Sequence, residues 1–299
     1  MTQTQSQAAN PRTRTLDVPG ATLTYDVRPS ETTTEPPLML IGSPMGAAGF
    51  GTLASFFPDR TIVTYDPRGS ERSTKADMTS ESTPEQHADD LHRLIQEIGG
   101  PVDLFASSGG ATNALALVAQ HPEDVRTVVA HEPPIATLLP DRENALAASR
   151  AVHETYLRSG FGAGMAHFIA LVSHTGEFPD GWSQQPGPDP AMFGMPTEDN
   201  GDRTDPLLGQ AMNPGMHYEL DVDGLRTASS RIVIAAGVES EGILPSRAAS
   251  EVAKLLGTEV VVFPSGHGGF LGGEYGQSSE PEAFAAKLRA VLATGDPLA

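Results

Sequence analysis

Residues Phe105-Ala106-Ser107-Ser108-Gly109-Gly110-Ala111 decide how this chain is read. The apolar run 102–106 ends in them, a helical pattern over 110–121 begins from them, and the residues between are small. A strand that turns this sharply into a helix holds its central residue at strained backbone angles. It also needs small residues two places before and two after, here Ala106 and Gly110. The turn therefore offers Ser108 as a nucleophile. A Ser/Gly turn also suits a phosphate at a helix N-terminus or a plain helix cap, so the choice rests on what else the chain supplies.

Outward from this turn, strand and helix alternate. The runs 37–42 and 61–65 are continuously apolar, as expected of parallel strands covered on both faces. Thr83-Pro84-Glu85 opens a helix over 83–99 with Leu91, Leu94, Ile95 and Ile98 on one face. The run 125–130 completes a βαβαβ unit. Ahead of it, Leu23, Tyr25 and Val27 alternate after Pro19-Gly20, which reads as an edge hairpin. The rhythm resumes with a strand at 231–237, a helix at 245–257, a strand at 259–264 and a closing helix at 280–294. Between the two blocks, helical stretches at 144–159 and 163–172 are followed by a Gly- and Pro-dense region over 178–214. The expected fold is α/β, a mostly parallel central sheet flanked by helices. Residues 16–134 and 228–299 form the core, 135–227 an inserted helical cap, and 1–15 a disordered N-terminal segment.

A serine nucleophile needs a base. Phe263-Pro264-Ser265-Gly266-His267-Gly268-Gly269-Phe270 places one histidine just past the last strand, at the edge where α/β sheets carry their sites. The flanking glycines leave the backbone free to aim the ring. His87 and His92 lie five apart on the helix 83–99, a spacing that does not share a face, and are expected on the surface. The Gly-x-Gly spacings at 160–164 follow a helix, which suits a helix–helix turn better than a dinucleotide loop. The acidic stretch 198–202 lacks the ligand spacing of a calcium loop and reads as solvated.

The strand order, the serine turn and the histidine after the final strand resemble the α/β-hydrolase superfamily with a cap inserted after the sixth strand. The likeness extends over about residues 16–296. Asp66-Pro67-Arg68-Gly69 is similar to the superfamily's Asp-x-Arg-Gly turn, which is structural there. The resemblance implies an oxyanion hole of two backbone N–H groups. One follows the nucleophile, at Gly109. The other lies in the loop after the third strand, where the superfamily carries His-Gly and this chain reads Ile41-Gly42-Ser43-Pro44. Proline has no N–H to give, so Ser43 fits best.

The superfamily's usual position for the acid, after the seventh strand, reads Gly237-Val238-Glu239-Ser240-Glu241-Gly242 and offers Glu239 or Glu241. A second position, after the sixth strand, reads His131-Glu132-Pro133-Pro134. The Ser-Ser-Gly and His-Glu-Pro segments together resemble the zearalenone-lactone hydrolases of this superfamily, in which the glutamate orients the histidine. Glu132 is favoured on that likeness and on the stiffness that the two prolines impose, with Glu239 and Glu241 left open.

The 299 residues carry Lys+Arg 19 against Asp+Glu 38, a net charge of -19, and no Cys. That balance argues against nucleic acid or an anionic membrane as partner, and it excludes disulfides, thiolate metal sites and a cysteine nucleophile. No apolar run approaches a membrane span, and residues 1–15 lack the apolar stretch of a signal peptide, so a cytoplasmic location is expected. The expected activity is cofactor-independent and metal-free cleavage of a carboxylic ester or lactone. Ser108 attacks, His267 carries the proton and Glu132 orients the histidine. A serine rather than an aspartate in the turn argues against epoxide and haloalkane chemistry. Cap residues Phe161, Met165, Phe168, Leu171, Trp182, Met192 and Phe193 suggest a mostly apolar small molecule, with Trp182 and Met45 as candidate contacts. A ligand-binding protein on the same scaffold and a carbon–carbon bond hydrolase are the rival readings. Oligomeric state is not legible.

Overall fold

The computed structural model describes residues 11–30, 33–277 and 279–294. Eight main strands build one sheet: β1 (Arg12–Val18), β2 (Ala21–Arg28), β3 (Leu38–Ile41), β4 (Ile62–Asp66), β5 (Val102–Ser107), β6 (Val125–His131), β7 (Arg231–Gly237) and β8 (Val261–Phe263). Their spatial order is β1-β2-β4-β3-β5-β6-β7-β8, and the two-residue strand Thr74–Lys75 adds to β2. The hairpin β1–β2 is antiparallel, β2 meets β4 antiparallel, and every pairing from β4 through β8 is parallel. Because β1 starts at Arg12, the expected lead-in over 1–15 ends earlier than the sequence suggested. Residues 1–10 lie outside the described residues.

The central strands obey the period of two that a doubly covered sheet requires. Met39, Ile41, Val63, Tyr65, Leu104, Ala106, Val128 and Ala130 face one apolar cluster. It also contains residues of the helices α1 (Pro84–Ile98), α2 (Gly109–Gln120) and, farther along, α4 (Leu244–Leu256). Leu38, Leu40, Ile62, Phe105, Val129 and Val233 face the other, with Phe50, Phe57 and the last helix α5 (Pro281–Ala293). α1 starts with a capping box in which Thr83 and Gln86 satisfy each other's backbone N–H. His87 is a correction: it is 3% exposed, because its position four before Leu91 places it on the buried face. The Asp66-Pro67-Arg68-Gly69 turn is a clamp. Buried Arg68 grips buried Asp90 of α1 through two hydrogen bonds of 2.7 and 2.6 Å, and Asp66 accepts the Ala47 N–H at 2.8 Å.

The insertion has its own apolar cluster, built from Val152, Tyr156, Leu171, Phe178, Leu208 and Met216, and it extends onto Leu244 and Ala248 of α4. Its principal helix, α3 (Arg142–Val172), is broken at Gly160, whose φ of 85° and ψ of -177° are open only to glycine. The break receives the loop around 196–199: a Cβ on Gly160 would lie 2.4 Å from Asp199 Oδ1, and one on Gly162 1.8 Å from Pro196 O. Tyr218 and Leu225 pack with the first sheet cluster, so the separately packed part of the insertion ends near Met216 and not at 227. Of the apolar cap residues, Leu171 is buried inside the insertion and Met192 is 76% exposed.

Candidate active site

Ladder register brings the candidate residues together. Ile41 pairs with Ala106, Ser107 with His131, His131 with Ala235 and Gly237 with Phe263. The segments that follow β3, β5, β6, β7 and β8 therefore leave the same edge of the sheet side by side.

Ser108 is the N-cap of α2 at φ 58° and ψ -129°, and its N–H donates to His131 O at 2.9 Å. A non-glycine residue at such a φ is strained, and the neighbouring ladder holds it there. The two glycines that follow allow close approach. A Cβ on Gly109 would stand 2.6 Å from Ser43 O, and one on Gly110 2.8 Å from Gly42 Cα. The loop after β3 thus lies against the Ser108 turn, bringing Ser43 and Gly109 together. Among the described residues neither of their N–H groups donates a hydrogen bond. Met45 folds back over its own loop, against Gly42 and Gly49.

Glu132 is wholly buried and also holds a positive φ, 52°. Its N–H donates to Ala235 O at 2.9 Å. Oε1 accepts the Gly237 N–H at 2.7 Å, and Oε2 accepts from Nδ1 of His267. Burial alone would push this carboxyl up. The hydrogen bond from His267, the charges of His131 and His267 and the Gly237 N–H outweigh it and hold the carboxyl down at about 2. The engaged Nδ1 fixes the neutral ring as the tautomer with its lone pair on Nε2. The His267 side chain is 38% exposed and follows Ser265, which sits at φ 66°. No hydrogen bond joins the Ser108 hydroxyl to His267 among the described residues. Serine–imidazole contacts in unliganded enzymes are often long and tighten on substrate.

Glu239 is exposed and accepts from Ser265 Oγ at 3.4 Å, and Glu241 is exposed. Trp182 stacks on His167 with ring centroids 5.2 Å apart and meets Phe178 edge-on at 5.3 Å, so its contacts lie within the insertion. His131, not singled out in the sequence, is buried between Ser107 and Glu132, with Nδ1 3.2 Å from Ser107 Oγ. The run Val128-Val129-Ala130-His131 signalled its burial, but its partner depends on ladder register.

One group of side chains among the described residues has the donors for a metal ion: His92, His121 and Asp124. It lies where the chain enters β6, the end of the sheet opposite Ser108. His92 Nδ1 and both oxygens of Asp124 are already hydrogen-bonded, and the two imidazoles stack 3.8 Å apart at 16°. Parallel stacked rings do not aim their lone pairs at one ion.

A strained serine on the same sheet edge as a buried carboxylate–imidazole pair is an arrangement that suits a hydrolase. Residues 38–287 match the alpha/beta hydrolase family, and the chain belongs to it. The hydrolase YraK of Bacillus subtilis (strain 168), called uncharacterized by its name, is 30% identical over 272 residues, covering 86% of this chain and 89% of that protein. Among solved structures, an α/β hydrolase from a Medee basin deep-sea metagenome library superposes with a TM-score of 0.67 at 15% identity, covering 93% of this chain and 97% of that one. A thermophilic esterase from Thermogutta terrifontis does so with a TM-score of 0.64 at 20% identity, covering 96% and 99%. At these identities the two structures speak for the fold. No helix among the described residues is long and apolar enough to cross a membrane.

Proposed function

We propose that this protein is a cofactor-independent serine hydrolase of carboxylic esters or lactones of mostly apolar small molecules. The observation that carries the reading is the buried Glu132 carboxylate hydrogen-bonded to Nδ1 of His267, on the sheet edge that also holds the strained Ser108. In this reading His267 Nε2 takes the Ser108 proton as Oγ attacks the carbonyl carbon. The N–H groups of Ser43 and Gly109 hold the oxyanion, and the same proton passes to the leaving alcohol oxygen. Water then repeats the sequence on the acyl-enzyme, releasing the acid and freeing Ser108. Glu132 stabilises the imidazolium in both halves and stays ionised throughout. For a lactone the alcohol and the acid leave as one opened chain.

The cap would cover the mouth of the site and set specificity, a role supported by its separate apolar cluster and its broken helix. Macrocyclic lactones of the zearalenone type are the finest substrate class the sequence supports, through Ser107-Ser108-Gly109 and His131-Glu132-Pro133. Turnover of a p-nitrophenyl ester panel and of zearalenone tests the reading. Wild type should hydrolyse members of the panel, and Ser108→Ala should lose on the order of thousands-fold in kcat. Activity lost with Ser107→Ala and kept with Ser108→Ala would contradict it.

A further inference from the structure

The reaction above uses the second residue of Ser107-Ser108 and the second of His131-Glu132, and leaves the first of each unused. The β5–β6 ladder pairs those two with each other, Ser107 opposite His131. Both are buried, 2% and 0% exposed, with Ser107 Oγ 3.2 Å from His131 Nδ1. His131 Nε2 has no hydrogen-bond partner and lies 3.9 Å from Glu132 Oε1, the oxygen not bonded to His267. We propose that Ser107 and His131 form a positioning pair which presents the His131 Nε2–H to Glu132 and so favours the carboxylate whenever His267 is neutral. This inference rests on the proposed serine-hydrolase reading.

The tautomer follows from electrostatics. Were the proton on Nδ1, the Nε2 lone pair would face a carboxylate oxygen across a dry gap, a repulsion that low dielectric amplifies. With the Ser107 hydroxyl donating to Nδ1, the proton sits on Nε2 and the dipole points at the carboxylate with its positive end. Around the ring stand Phe105, Phe263 and Phe284, with centroids 6.0, 6.1 and 5.4 Å away. The titratable groups that face it among the described residues are Glu132 and His267, whose ring is 6.1 Å distant. Burial pushes the His131 imidazole down to about 4, Glu132 and His267 acting in opposite senses, so the ring acts as a neutral dipole.

The sign of the effect is determined. When His267 gives up its proton, the negative charge of Glu132 is left uncompensated, and a donor dipole beside it stabilises that state. Removing the dipole disfavours the state in which the carboxylate stands without a charged partner, so the acid limb of the pH profile moves up. A residue that merely packs would change the unfolding temperature and leave that limb in place.

The experiment measures the second-order rate of fluorophosphonate labelling from pH 4.5 to 9 in wild type, His131→Phe and Ser107→Ala, with Ser108→Ala as control and melting temperature recorded for each. The acid limb should move up by about half a pH unit or more in His131→Phe, and in the same direction by a smaller amount in Ser107→Ala, where Glu132 still favours the Nε2–H. His131→Phe removes a buried Nε2 without a partner but also leaves the Ser107 hydroxyl without His131, so its melting temperature serves only to show that the variant is folded. Should His131→Phe fail to fold, Ser107→Ala decides alone. An acid limb that stays at the wild-type position in the folded variants overturns the positioning role. A wild-type protein that takes no label, or a Ser108→Ala variant that labels equally, overturns the hydrolase reading instead.

Discussion

Ser108, Glu132 and Ser265, the last of them two residues before His267, hold positive φ values of 58°, 52° and 66° without being glycine. Each such residue costs on the order of 1–3 kcal/mol, so the surrounding ladder must over-determine them. For Glu132 the return is a carboxylate satisfied on both oxygens, by the Gly237 N–H and by His267. Glu132→Gln keeps the size and one acceptor but loses the charge that stabilises the imidazolium. Its kcat should fall about 1,000-fold or more, whereas Glu239→Gln and Glu241→Gln, altering exposed side chains, should stay near wild type. Steady-state kinetics on one ester would separate the three. The sequence offers Ser108 and His267 because each follows an apolar run at the strand edge. Glu132, by contrast, is favoured over Glu239 and Glu241 only by the resemblance and by Pro133-Pro134, and its contact with His267 emerges only in the fold. The Ser107–His131 contact was not legible, since it exists only once β5 and β6 are in register.

At the scale of elements, the parallel strands and α1 announced themselves through continuous apolar runs, the Thr83-Pro84-Glu85 opening and one apolar helix face, and their limits differ from the sequence reading by a residue or two. His87 shares no helix face with His92, five residues on, but that spacing does not say which face is buried. The spacing of four to Leu91 puts His87 on the buried face. The 160–164 glycines were read as a turn between two helices. The structure adds the reason for two of them, a loop that enters the break and leaves no room for a Cβ. Gly162→Ala would set its Cβ 1.8 Å from Pro196 O, so that loop must move. Destabilisation of about 2 kcal/mol or more is expected in urea unfolding, with KM raised more than kcat is lowered if the cap sets specificity. Unchanged KM in a folded Gly162→Ala protein would separate the cap from substrate binding.

Over the whole molecule, the two faces of the sheet carry different duties: one is packed by α1, α2 and α4, the other by α5 and the aromatic cluster of Phe50, Phe105, Phe270 and Phe284. His87 sits in the first of these with both ring nitrogens unpartnered, and burial, aided by Arg68 and Lys75, pushes its imidazole down to about 3. Because the folded ring resists a proton that the unfolded chain accepts, acid favours unfolding. A His87→Leu protein should gain stability over wild type progressively as pH falls from about 6.5 toward 3, by at most about 1.4 kcal/mol per pH unit. Urea unfolding at several pH values measures it, and a gap constant with pH would refute the assigned burial effect. The proposed chemistry requires that Ser108 Oγ is the atom that becomes acylated. Wild-type protein labelled with a fluorophosphonate, digested and mapped by mass spectrometry tests this most directly. The adduct is expected on Ser108, with labelling lost in Ser108→Ala. An adduct on Ser107 or on another residue, or no adduct on a protein that hydrolyses esters, would contradict it.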